Sequence, residues 1–105
     1  MPPVYRFWIS PYDEDFEWDK EKSLKTFADR DLVFEAARIA FRGTLLRRQD
    51  TRRRRSKEPR FMVLGELYGR VVMIIYSPRR GKCRIISLRP ANGAERRIYH
   101  EHTSN

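Results

Sequence analysis

The apolar positions of this chain follow two periods, and each change of period marks an element. Val4 to Ser10 is aromatic and β-prone, with Pro2, Pro3 and Pro11 as punctuation, and predicts a short strand. Phe16 and Trp18 alternate with Glu17 and Asp19 and predict a second. Asp19 is a suitable N-cap for a helix over 20–29, with Leu24, Phe27 and Ala28 as its apolar stripe. The polar run Asp29-Arg30-Asp31 breaks it. Phe34, Ala37 and Phe41 then recur at helical spacing, joined by Ala36, Ile39 and Ala40, and predict a second helix over 33–42 with Gly43 as its cap. Both stripes are expected to lie in the core.

From Leu45 the pattern turns to strands. Leu45 to Asp50 is a candidate strand, and the run Arg52-Arg53-Arg54-Arg55-Ser56-Lys57 reads as an exposed hairpin loop. Arg60–Leu67, Arg70–Ser77 and Lys82–Arg89 form a meander, with turns at Tyr68-Gly69 and Pro78-Arg79-Arg80-Gly81. Val71 to Tyr76 is apolar on both faces, as in a central strand covered from both sides. A helix over 92–102 closes the chain. The expected fold is α+β: two N-terminal helices packed on an antiparallel sheet of at least three strands, closed by a C-terminal helix. One domain spans 1–105, with 1–15 as an N-terminal extension and candidate edge strand.

Charge changes the picture more than size does. Lys and Arg number 23 against 14 Asp and Glu, a formal net charge of +9. Such an excess suits a polyanion, nucleic acid first and an acidic protein second. The acidic pole, Asp13 to Glu21, is expected to fold near or shield part of the basic surface. Cys83 has no partner for an internal disulfide and reads as a small strand residue. One Cys with His100 and His102 cannot build a zinc site, no glycine-rich phosphate loop is present, and no cofactor is expected. With neither a signal peptide nor an apolar span of membrane length, a cytoplasmic protein is expected.

Cations on strands point to phosphate chemistry. Strict alternation puts Ile85, Ser87 and Arg89 on one face and Arg84, Ile86 and Leu88 on the other. An arginine on an apolar strand needs a carboxylate or a phosphate to meet it. RNA cleavage by its own 2′-OH requires a proton acceptor, cations for the developing phosphorane charge, and a donor to the leaving oxygen. Arg60, Arg84 and Arg89 suit the second task, because a guanidinium pairs two phosphate oxygens. Glu58 is a candidate acceptor or an orienting partner, and Ser87 a hydrogen-bond donor. Arg52, Arg53, Arg54, Arg55 and Lys57, with Arg70 and Arg96, are candidates for backbone contacts to RNA, which carry little base information. A structural ion pair or a solvated strand edge is the alternative reading for each.

Three motifs in order resemble the BrnT-type toxins. They are Phe16-Glu17-Trp18-Asp19 with Lys22 and then Phe34-Glu35; Glu58-x-Arg60-Phe61 with Leu64-Gly65 and Gly69-Arg70; and Arg84-Ile85-Ile86-Ser87-x-Arg89-x-Ala91 with Glu95-Arg96 and Tyr99. The resemblance covers about residues 16–100. It implies a RelE-like ribonuclease domain, the toxin of a type II toxin–antitoxin pair, cutting RNA without a metal and stopping translation. It also implies a BrnA-like antitoxin, a heterotetramer, and promoter DNA bound through the antitoxin. By position it makes Lys22, Glu58, Arg60, Arg84, Ser87 and Arg89 the catalytic candidates. Family members carry Lys-His-Gly where this chain has Asp29-Arg30-Asp31, so Arg30 stands at the family histidine. A non-catalytic RNA-binding or protein-interaction domain with the same fold is the alternative.

Overall fold

The computed structural model describes residues 4–51 and 58–104. Its frame is one six-stranded sheet in the order β1-β3-β4-β5-β6-β2. The strands are β1 (Arg6–Trp8), β2 (Phe16–Trp18), β3 (Leu45–Gln49), β4 (Phe61–Leu67), β5 (Arg70–Arg79) and β6 (Lys82–Pro90). The helices are α1 (Lys20–Arg30), α2 (Ala37–Ala40), which follows a 3-10 turn at Phe34–Ala36, and α3 (Gly93–Thr103). The sheet is mixed, because β2 runs parallel to β6 while the other pairs are antiparallel.

This corrects the expected architecture of two N-terminal helices on an antiparallel sheet. Only α1 is a full N-terminal helix, and it does not cover a sheet face. Leu24 is 68% and Phe27 51% exposed, so the expected core stripe faces outward. The physical reason is the short parallel strand β2, which seats the chain beside β6 and leads α1 along the edge of that strand. Ser23 is the buried residue of α1, and its Oγ accepts a hydrogen bond from Phe34 N at 3.0 Å. The second helix starts in 3-10 geometry at Phe34–Ala36, without a side-chain cap from Val33, and continues as a single α turn. Its apolar stripe does reach the core: Phe34, Ala37, Ala40 and Phe41 are all buried.

Two cores lie on the two faces of the sheet. On the first face, Phe34, Ala37, Ala40 and Phe41 pack on Leu45, Val63, Val72, Ile74 and Tyr76. Gly65 permits this approach: a Cβ there would meet Leu45 Cδ2 at 2.8 Å. On the second face, Tyr99 of α3 packs on Leu46, Leu64, Val71 and Met73. Its hydroxyl donates to Thr44 O at 2.8 Å. Tyr68-Gly69 and Arg80-Gly81 make two-residue hairpin turns with positive φ at both positions.

The N-terminal extension is part of the fold. Trp8 stacks on Tyr76 with ring centroids 5.4 Å apart, and Phe61 stacks on the same ring at 5.4 Å. The Arg47 guanidinium lies over Trp8 at 4.7 Å and Phe61 at 4.4 Å, and Arg47 Nη1 donates to Tyr76 Oη at 2.9 Å. Burial of this cluster pushes the Tyr76 hydroxyl up to about 12.

Candidate functional site

A bulge in β6 sets the site. Tyr76 pairs with Ile85 and Ile75 with Ser87, so Ile86 is an extra residue in the ladder. Strict alternation would separate Arg84 from Ser87. The bulge reverses the phase instead. Cys83, Ile85 and Leu88 enter the first core. Arg84, Ser87 and Arg89 stand opposite Ser77, Ile75 and Met73, on the second face. The sequence pattern of apolar residues at 83, 85 and 88 is the trace such a bulge leaves.

Helix α3 covers one end of the second face and leaves the other open. At the open end a cleft of about 630 Å³ forms between the sheet and α1. The sheet contributes Arg60, Ile75, Ser87 and the bulged Ile86, and α1 contributes Lys22, Lys25, Asp29 and Arg30. Asp19 holds the start of α1, accepting at Oδ1 from Glu21 N (2.9 Å) and Lys22 N (3.2 Å). Asp31 closes it in the left-handed conformation at φ 58. Two cations then latch the helix to the β6 edge: Lys22 Nζ donates to Ile86 O at 2.9 Å, and Arg30 Nη1 to Leu88 O at 3.2 Å.

The sequence candidates separate into groups. Lys22, Arg60 and Ser87 meet in the cleft. Arg60 Nε is buried and has no hydrogen-bond partner among the described residues. Arg84 shares the face of Ser87 and lies 3.9 Å from Glu17 Oε1, an ion pair that β2 brings in from the acidic pole. Glu58 Oε1 is 3.5 Å from Arg79 Nε, outside the cleft lining. Arg89 is held by a two-pronged bond to Glu95, at 2.8 and 2.9 Å. This bond holds the Glu95 carboxyl below its ordinary value, with the Asn92 backbone adding to the effect. Arg96 Nη1 donates to Ala91 O at 2.8 Å, and Arg70 opens β5 at the end away from Ile75. Arg52, Arg53, Arg54, Arg55 and Lys57 lie outside the described residues.

Lys25, Thr26, Asp29 and Asp50 also line the cleft and were not among the sequence candidates. The signal for the α1 residues is helical spacing from Lys22, which places 25, 26 and 29 on one side. For Asp50 it is the pairing of β3 with β4, which needs the register. Cys83 is fully buried, and desolvation pushes its thiol up, which rules out a ready thiolate. Among the described residues, no group of His, Cys, Asp or Glu gathers in a way that could hold a metal ion. No helix of these residues is long and apolar enough to cross a membrane.

The cleft is thus a cationic groove with two hydroxyls, Thr26 and Ser87, and two carboxylates at the mouth of a sheet, suited to a phosphodiester. No curated protein and no solved structure matches the chain. A family model described as "Ribonuclease toxin, BrnT, of type II toxin-antitoxin system" matches residues 18–95, from the last residue of β2 through α1 and the meander to the start of α3. That match covers well over half of the sequence, and the chain belongs to the BrnT family of ribonuclease toxins of type II toxin–antitoxin systems.

Proposed function

We propose that RNA binds in the cleft between α1 and the open end of the sheet and is cut there by its own 2′-hydroxyl, without a metal ion. The observation that carries this is Arg60: a buried guanidinium nitrogen without a partner among the described residues, lining the same cleft as Lys22, Lys25, Arg30 and Ser87. A phosphate would satisfy that nitrogen and receive a second cation from α1. Arg60 and Lys22 hold the phosphorane charge, Ser87 orients a non-bridging oxygen, and Arg84 extends the basic track one step along β6. Arg89 acts by fixing the start of α3. Glu58 orients the segment before Arg60 through Arg79. In the cell, this reading makes the chain a cytoplasmic inhibitor of translation, held in check by a BrnA-like antitoxin in a heterotetramer whose antitoxin half binds promoter DNA.

The test is cleavage of a defined RNA by the purified chain in EDTA, beside an Arg60→Ala, Arg84→Ala variant whose folding is checked by circular dichroism. Cleavage by the parent and a loss of about 10²–10³-fold in the folded variant are expected. A folded parent that leaves RNA intact would sink the reading.

One observation favours a second reading, that of a binder without chemistry. Arg30 stands where family members carry histidine, and its Nη1 already donates to Leu88 O. RNA binding with steep salt dependence and no cleavage would be its signature.

A further inference from the structure

We propose that Asp50 is the group that accepts the 2′-hydroxyl proton; this rests on the ribonuclease reading of the cleft. Its placement follows from the ladder. Gln49 pairs with Phe61, and Asp50 N donates to Arg60 O at 2.8 Å, so Asp50 and Arg60 stand opposite one another one step beyond. Opposite residues of an antiparallel pair project from the same face. Arg48, two residues back, stands opposite Met62 and over Tyr5, both in the second-face core. Asp50 and Arg60 therefore share the second face, and both line the cleft.

The other cleft groups are poorly placed for the task. Arg30 and Lys22 are cations that donate to the β6 edge. The two histidines lie on α3, outside the cleft lining. Of the two cleft carboxylates, Asp29 is exposed on the last turn of α1, whereas Asp50 is half-buried beside the arginine that would hold the phosphate.

In the step itself, an Asp50 Oδ takes the proton of the 2′-hydroxyl as the 2′-oxygen forms its bond to phosphorus. The bond from phosphorus to the 5′-oxygen breaks, and that oxygen leaves with a proton from the Lys22 ammonium. The products are a 2′,3′-cyclic phosphate and a 5′-hydroxyl. Proton exchange with water restores both side chains.

The experiment is single-turnover cleavage by the full chain from acid to neutral pH, with Asp50→Asn and Asp50→Glu beside the parent. Binding of an uncleavable 2′-deoxy RNA analogue is measured in parallel. Asp50→Asn should lose about 10²–10⁴-fold in rate, bind the analogue at least as well as the parent, and lose the acid limb of the pH profile. Asp50→Glu should recover part of the rate and the limb. Parent-like cleavage by a folded Asp50→Asn overturns the assignment while leaving the ribonuclease reading intact. If neither variant folds as judged by circular dichroism, Asp50 is a structural residue and the assignment falls. A parent without cleavage removes both.

Discussion

Arg89 and Glu95 show how one pair of side chains can serve the fold while resembling a site. Glu95 accepts two bonds from Arg89 and one from Asn92 N at 2.9 Å, and Asn92 Oδ1 accepts from Glu95 N at 2.8 Å. This is a capping box joined to an ion pair, and Glu95 is only 9% exposed. Arg89→Ala should therefore cost about 1.5–3 kcal/mol in urea unfolding, because the carboxylate stays buried. A loss below 0.5 kcal/mol, to order of magnitude, would show that the pair contributes little. The pH dependence has a definite sign. The folded value of Glu95 lies below its ordinary 4.5. Its stabilisation is then complete above the unfolded range and is lost as pH falls through the depressed folded value. Glu95→Gln should flatten that part of the acid limb of stability, read as the urea midpoint from pH 7 down to about pH 2. An unchanged slope would place the acid sensitivity elsewhere.

At the scale of elements, the two strands outside the meander decide what the chain becomes. Strand β2 carries Glu17 to Arg84 and sets α1 along β6, which turns an expected core helix into the wall of the cleft. Strand β1 lies before the family match and carries Trp8 onto Tyr76, Phe41 and Arg47. Trp8→Ala should remove that stacking and destabilise the fold by about 2–3 kcal/mol, below the cost of a fully buried tryptophan because Trp8 is half-buried. Thermal unfolding with cleavage assayed below the midpoint would check it; cleavage should persist, since β1 lies at the far edge of the sheet from β6. Helix α1 is the element where the cleft reading predicts that stability and activity separate. Lys22 is exposed and makes one bond to Ile86 O. Lys22→Ala should change stability by less than about 1 kcal/mol yet cut cleavage at least tenfold. Equal activity in the variant would take Lys22 out of the reaction.

At the scale of the whole molecule, what was legible followed from local chemistry. The three meander strands, both glycine turns, the Asp19 cap and the closing helix each rest on residues adjacent in sequence, and all are present. The direction of β2, the outward turn of Leu24 and Phe27, and the bulge at Ile86 each depend on which strand lies beside which. One chain without its pairings does not reveal that, so an antiparallel sheet under two helices was expected where a mixed sheet formed. The candidate site divided along the same line: Lys22, Arg60 and Ser87 meet, while Asp50 needed the β3–β4 register. The net charge of +9 was legible from the start, but not where it acts. The cleft gathers Lys22, Lys25, Arg30 and Arg60 at one end of the sheet. If these four meet phosphates, the logarithm of the binding constant for single-stranded RNA should fall against the logarithm of salt with a slope of about −3, at about 0.7 per phosphate. Arg60→Ala should make the slope shallower by about 0.7, because it removes one contact and leaves the others in place. A parent slope near zero would mean that the positive charge serves solubility or an acidic partner. A steep parent slope that Arg60→Ala leaves unchanged would move the RNA off this cleft altogether.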